Sequence, residues 1–188
     1  MQKLLLFAAP SGSGKTTIVR RLLGVFPTLA FSVSATTRSP RANEQHGRDY
    51  YFLDKEAFLQ KIESGDFVEW EEVYPGVFYG TLRQEVERLW HEKKDVIFDV
   101  DVQGALRIKA AYPAQSLAIF VKPPSMEVLA ARLKSRQTES TESLETRLGK
   151  AAEELLFQNK FDYVLVNDEL DIAVEEAKQL VHDWLYPG

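Results

Sequence analysis

An apolar run that breaks into a loop almost without side chains constrains this chain more than any other feature. Residues 3–17 read KLLLFAAPSGSGKTT. Leu4 to Ala9 is a short continuous apolar stretch, the pattern of a strand buried on both faces. Beyond the loop, Ile18, Leu22, Val25 and Phe26 fall on one helical stripe, which Pro27 stops. Small residues between a strand and a helix let backbone N–H groups converge on an anion, and the helix adds its positive N-terminal end. The spacing is that of the phosphate-cradling loop G-x-x-x-x-G-K-[ST], with Ala9 where the first glycine belongs. A flexible Gly/Ser turn is the competing reading. On the phosphate reading Ala9, Pro10, Ser11, Gly12, Ser13, Gly14, Lys15, Thr16 and Thr17 surround a nucleotide's phosphates. Lys15 reaches the β- and γ-phosphates, and the Thr16 hydroxyl binds Mg²⁺. Should position 9 need positive φ, alanine there costs about 1–2 kcal/mol.

The rest of the chain repeats the strand–helix rhythm. "DVIFDV" (95–100), "SLAIFV" (116–121) and "DYVLVN" (162–167) read as further buried strands. Helical stripes lie around them, at Leu144, Leu148, Ala151, Ala152 and Leu155, and at Ala173, Ala177, Leu180, Val181 and Trp184. Alternation of this kind predicts an α/β fold, a P-loop NTPase-type parallel sheet with helices on both faces. Asp99 ends one such strand and is the expected metal-side carboxylate, although Asp99 and Asp101 also suit a helix cap.

Between about Ser34 and Val86 the rhythm changes. "RDYYFL", "DFVEWEEV" and "GVFYGT" are short aromatic and β-branched runs with Gly and Pro between them. They predict a small, mostly antiparallel sheet inserted into the larger fold. A short helix is expected over 54–64, capped by Asp54 and stopped by Gly65. Thr81-Leu-Arg-Gln84 matches a capping box for the next helix, with Leu82, Val86, Leu89 and Trp90 on one face. The polar stretch "KSRQTESTES" (134–143) between two helices is the expected lid.

Composition narrows the partners. The formal net charge of -5 argues against general nucleic-acid binding, so an anionic ligand must be held by locally placed cations. No apolar run approaches the ~20 residues of a membrane span. "MQKLLLFAAP" reads as a strand rather than a signal peptide. With no cysteine, disulfides and thiolate metal sites are excluded, and a cytoplasmic protein is expected.

The block FSVSATTRSPRANEQHGRDYYF (31–52) carries Ser34, Thr36, Thr37, Arg38, Pro40, Arg41, Glu44, Gly47, Asp49, Tyr50 and Phe52. In it, and through "FVEWEEVYPGVFYGT", "FDVDVQG", "RLKSRQTES", "ETRL" and "FDYVLVND", the chain resembles the guanylate kinases, over nearly its whole length and at the family's spacing. The resemblance implies Mg²⁺-dependent transfer of the ATP γ-phosphoryl to GMP, a step in guanine nucleotide recycling. It implies a single domain, with a core at 1–33 and 91–188, a GMP-binding insertion at 34–90 and a helical lid at about 132–147. Arg38, Arg41, Tyr50 and Tyr79 would then hold the GMP phosphate, and Ser34, Glu69, Thr81 and Asp101 would read guanine. Arg38, Arg132, Arg136 and Arg147 join Lys15 around the transferred phosphoryl, and Asn167 lies near the adenine. Ser135 and Gln137 stand where the family often has glycine.

Guanine chemistry agrees with this. Its N1–H and N2–H₂ donors lie side by side, so one carboxylate accepts both, whereas adenine offers a lone pair at N1 and no donor at C2. A polar site of this kind discriminates by about 10⁴ or more. A phosphate monoester acceptor, with a second pKa of about 6, is mostly a dianion at neutral pH and needs no general base. His46, His91 and His182 are accordingly expected at the surface. Two rivals are a binding module of the same fold that has lost nucleotide chemistry, and a P-loop kinase for another phosphorylated acceptor. The intact Gly14-Lys15-Thr16 opposes the first, and the Ser34, Glu69 and Asp101 set opposes the second. The expected partners are ATP and GMP, with no nucleic acid or membrane and the oligomeric state open.

Overall fold

A computed structural model describes residues 2–135 and 141–187. In chain order its elements are β1 (Leu4–Ala8), α1 (Lys15–Val25), β2 (Leu29–Phe31), β3 (Ala35–Thr36), β4 (Tyr51–Phe52) and α2 (Lys55–Glu63). Then come β5 (Phe67–Tyr74), β6 (Val77–Leu82), α3 (Arg83–His91), β7 (Asp95–Val100), α4 (Val102–Ala111) and β8 (Ser116–Lys122). The chain ends with α5 (Met126–Lys134), α6 (Thr141–Leu155), β9 (Tyr163–Val166) and α7 (Leu170–Leu185).

Five strands form the core sheet in the order β2-β7-β1-β8-β9, and every pairing is parallel. All five residues of β1 are buried, as a strand covered on both faces must be. Alternate side chains enter two separate layers. Leu5 and Phe7 pack with Ile18, Val19 and Leu22 of α1 and with Ala173, Ala177 and Val181 of α7. Leu4, Leu6 and Ala8 pack with Val86, Leu89, Ala105 and Ile108 from α3 and α4. The α/β reading therefore holds. Strand β2 is an addition to it, since three residues at a sheet edge make too short an apolar run to stand out.

The second sheet, in the order β4-β3-β6-β5, is mixed: β3–β4 is parallel and the other two pairings are antiparallel. Phe58, Phe67 and Phe78 form its own small core, with the Phe58 and Phe67 rings stacked at 4.4 Å. Asp54 caps α2 by accepting from the Ala57 N–H at 2.7 Å, and Gly65 takes φ 70 just beyond its end.

Three local readings change. The expected capping box at Thr81 does not form. Leu82 is the α3 N-cap without a side-chain bond, because Thr81 lies in β6 and its hydroxyl donates to Glu69 Oε1 at 2.7 Å. Val19, not Val25, completes the buried face of α1, and Val25 is 49% exposed. Ala152 is exposed on α6, while Leu144, Leu148 and Ala151 pack against Leu129 and Leu133 of α5. Helix α3 packs its Val86 and Leu89 on the core sheet.

Candidate active site

The phosphate loop leaves the C-terminal end of β1, where ligands of parallel sheets bind. Gly12 and Gly14 take φ 93 and 89, a region closed to other residues except at a cost. Ala9 needs no such conformation: among the described residues Lys93 alone is a non-glycine with positive φ. The substitution in the motif therefore carries no backbone penalty. Gly14 is fixed by contact as well, since a Cβ there would overlap Asn167 Nδ2. Gly14→Ala is expected to destabilise the fold by at least ~1–2 kcal/mol, from the left-handed backbone alone. A thermal melt checks this; an unchanged midpoint would mean that the loop relaxes freely.

In register, Phe7 of β1 pairs with Asp99 of β7, which sets this carboxylate beside the loop. Asp99 Oδ2 accepts from the Thr16 hydroxyl at 2.6 Å, and Oδ1 lies 2.7 Å from Lys15 Nζ. Lys15 also donates to the Val100 carbonyl. The cleft around the loop measures about 550 Å³ and gathers residues 9–17, Asp99, Asp101 and Arg147. Arg147 reaches Ser11 Oγ at 2.5 Å.

Tyr74, Lys150 and Glu154 line the same cleft, and the sequence reading missed all three. Lys150 and Glu154 follow Arg147 by three and seven positions, so a helix brings them to one face. That spacing was the available signal. Burial pushes the Glu154 carboxyl up to about 7 against the pull of Lys150, with Asp101 adding repulsion.

Arg132 and Asn167 stand elsewhere. Arg132 donates to the Asn167 and Asp168 carbonyls at 2.9 and 3.0 Å. Asn167, 3% exposed, turns its Nδ2 to the Ser13 carbonyl at 2.7 Å and so braces the phosphate loop. Arg136 and Gln137 lie outside the described residues. Ser135 forms the C-cap of α5.

The second sheet carries the remaining candidates. Arg38 forms a bidentate pair with Glu44, both bonds 2.9 Å, and its Nε donates to the Tyr79 hydroxyl at 3.2 Å. Its guanidinium lies 5.3 Å from the Tyr50 ring, which meets Tyr79 edge-on at 5.9 Å. Glu44 accepts from the Arg41 N–H too, at 2.8 Å. The Arg38 bond holds the Glu44 carboxyl down at about 2. Glu44 thus ties the Arg38 guanidinium to the backbone at Arg41, a role that its three-residue spacing from Arg41 suggests only in hindsight.

Glu69 is 8% exposed on β5, with the Thr81 hydroxyl on Oε1. Asp101 caps α4 by accepting from the Gly104 N–H at 2.6 Å. The two carboxylates meet at Gly104, where a Cβ would come within 3.0 Å of Glu69 Oε2 and 3.1 Å of Asp101 Oδ1. Burial pushes Glu69 up to about 7, the Thr81 bond opposes this, and Asp101 adds to it. Ser34 joins Thr16, Tyr50 and Asp99 in a cleft of about 490 Å³ beside the first. His46, His91 and His182 are exposed, as expected.

Known proteins resemble this chain along its length. The guanylate kinase family profile matches residues 1–184. A guanylate kinase of Porphyromonas gingivalis is 48% identical over 98% of this chain and 99% of its own. One from Salinibacter ruber is 47% identical over 98% and 97%. The solved structure of a guanylate kinase from Anaplasma phagocytophilum superposes with TM-score 0.75 at 30% identity, covering 96% of this chain and 85% of that one.

Proposed function

This chain belongs to the guanylate kinase family, and from that premise we propose which of its residues pass the γ-phosphoryl of ATP to GMP. The activity is that of a nucleoside monophosphate kinase. The assignment of residues rests above all on one observation: Glu69, buried and bonded to Thr81, faces the helix start that Asp101 caps.

ATP lies along the loop of residues 9–17, with Lys15 and Arg147 on its phosphates. Its adenine lies near the end of β9, and Asn167 serves the donor by holding the Ser13 carbonyl. GMP lies across the cleft. Arg38, Arg41, Tyr50 and Tyr79 take its phosphate; Ser34, Glu69, Thr81 and Asp101 take its base. Arg132 and Arg136 complete the positive charge from the lid side. The insertion that carries GMP is 34–90 by sequence, with α3 tying its end to the core.

An oxygen of the GMP phosphate dianion forms the new bond to the γ-phosphorus as the bond to the β-bridging oxygen breaks, and ADP leaves with that electron pair. No proton need be removed first. The difficulty is repulsion between two polyanions aligned end to end, and cations held in place relieve it. Thr16 and Asp99 offer hard oxygen donors 2.6 Å apart, a small set that suits Mg²⁺, which keeps water and substrate phosphates as its other ligands. When bound, Mg²⁺ would neutralise charge on the β- and γ-phosphates. Lys15 then exchanges Asp99 and the Val100 carbonyl for phosphate oxygens.

A cytoplasmic location is part of the proposal, since both substrates are soluble nucleotides and the chain has no cysteine for an oxidising compartment to use. The net charge of -5 speaks against nucleic acid as a partner. The deciding assay offers GMP, AMP, UMP and CMP in parallel with ATP and Mg²⁺. GMP is expected to exceed AMP in kcat/KM by about 10⁴. Comparable turnover of AMP would overturn the base-reading assignment.

A further inference from the structure

Glu85 is a buried carboxylate that neither clefts nor chemistry account for. It is 2% exposed, in the first turn of α3. Four donors converge on it. Oε1 accepts from the Val33 N–H at 3.3 Å and from Arg88 Nη2 at 3.0 Å. Oε2 accepts from the Tyr51 hydroxyl and from Arg88 Nε, both at 2.9 Å. An ion pair with Arg88 alone would serve the helix. The other two donors belong to distant segments, and each is the chain neighbour of a residue assigned to GMP. Val33 precedes Ser34, and Tyr51 follows Tyr50. These segments also meet directly, through the Tyr51 N–H on the Ser34 carbonyl at 2.9 Å. Helix α3 packs on the core sheet through Val86 and Leu89, so Glu85 joins both segments to the rigid part of the molecule.

We propose that Glu85 is a positioning residue for GMP, clamping the segments that carry Ser34 and Tyr50 in one fixed relation to the core. The clamp rests on the assignment of those two residues to GMP. Arg88, exposed on its outer side, supplies the charge that lets a carboxylate stay buried there. A neutral side chain of the same shape cannot replace it. Glutamine has one acceptor oxygen for four donors, and its amide N–H₂ opposes at least one of them.

The test uses the full-length enzyme with Glu85→Gln, Tyr51→Phe, the double variant and Ser34→Ala, reading KM for GMP, KM for ATP and thermal midpoint in each. Glu85→Gln is expected to raise KM for GMP about tenfold, with KM for ATP changed less than about twofold. Tyr51→Phe should move KM for GMP in the same direction by less, and the double variant should be no worse than Glu85→Gln alone, because both remove the same bond. A purely structural role would lower the midpoint and leave the ratio of the two KM values untouched. Equal rises for both nucleotides, or an unaltered KM for GMP in a folded Glu85→Gln protein, would overturn the clamp. If Glu85→Gln fails to fold, Tyr51→Phe with unaltered KM for GMP overturns it equally. Ser34→Ala separates the two levels. Weakened GMP there with none in Glu85→Gln sinks only the clamp, whereas unaltered GMP in Ser34→Ala sinks the GMP-side assignment and the clamp with it.

Discussion

Lys15→Ala is expected to lower kcat by about 10³-fold or more while the thermal midpoint moves by no more than a few degrees. The two effects separate because the bonds of the lysine within the fold differ from its proposed part in transfer. Within the fold the ammonium sits on Asp99 at 2.7 Å and on the Val100 carbonyl, with about a sixth of its side chain open to solvent. In a largely buried pair of this kind desolvation of both ions offsets most of their attraction, so its net contribution to stability is on the order of 1 kcal/mol. In the proposed transfer the same ammonium would meet charge on the γ-phosphoryl, where a fixed cation shielded from water is worth several kcal/mol. A coupled assay and a melt on the same preparation read both quantities. Near-normal turnover would remove Lys15 from the mechanism, and a collapsed fold would show that its bond to Asp99 is structural.

Paired carboxylates let a chain of net charge -5 keep its cations close together. Lys15 is matched by Asp99, and Arg38 by Glu44. On the proposed assignment phosphates displace these internal partners, and part of their binding energy goes into freeing the cations.

Local signals in the sequence carried most of the fold. Buried strands stood out because β1 is apolar throughout and β7 and β8 carry apolar runs at Val96–Phe98 and Leu117–Val121, and the loop because glycine best suits φ near 90 at positions 12 and 14. What was illegible depends on contacts across the chain. Thr81 has the spacing of a cap, yet Glu69, twelve residues earlier, takes its hydroxyl. The exposure of Val25 and burial of Val19 are decided by where α7 lies against α1, which helical periodicity alone does not say. Lys150 and Glu154 look like ordinary surface charges on a helix until α6 is laid over the phosphate loop. Glu44 and Glu85 likewise acquire their roles only from donors that folding brings to them. The resemblance supplied what spacing could not, namely the proposal of which polar residues meet which part of GMP.

Glu69→Gln is expected to raise KM for GMP by about 10²–10³-fold while KM for ATP changes by less than about threefold. The carboxylate can accept guanine N1–H and N2–H₂ together; the amide presents one acceptor and sets an N–H₂ against the other donor. Equal losses for the two nucleotides would show that Glu69 does not read the base. A pH profile makes the same point without mutation. Burial lifts the Glu69 carboxyl from its usual range to about 7, so the protonated form dominates below that value and the anion above it. Only the anion accepts both donors, hence GMP binding weakens as pH falls. At pH 6 about one site in eleven is ionised, which predicts a KM for GMP about tenfold above its value at pH 8. The GMP phosphate also titrates near pH 6, but it does so identically in the variant. The wild-type profile divided by that of Glu69→Gln isolates the carboxyl: a ratio that rises from pH 6 to 8 in favour of wild type is expected, and a flat one would remove the ionisation of Glu69 from recognition.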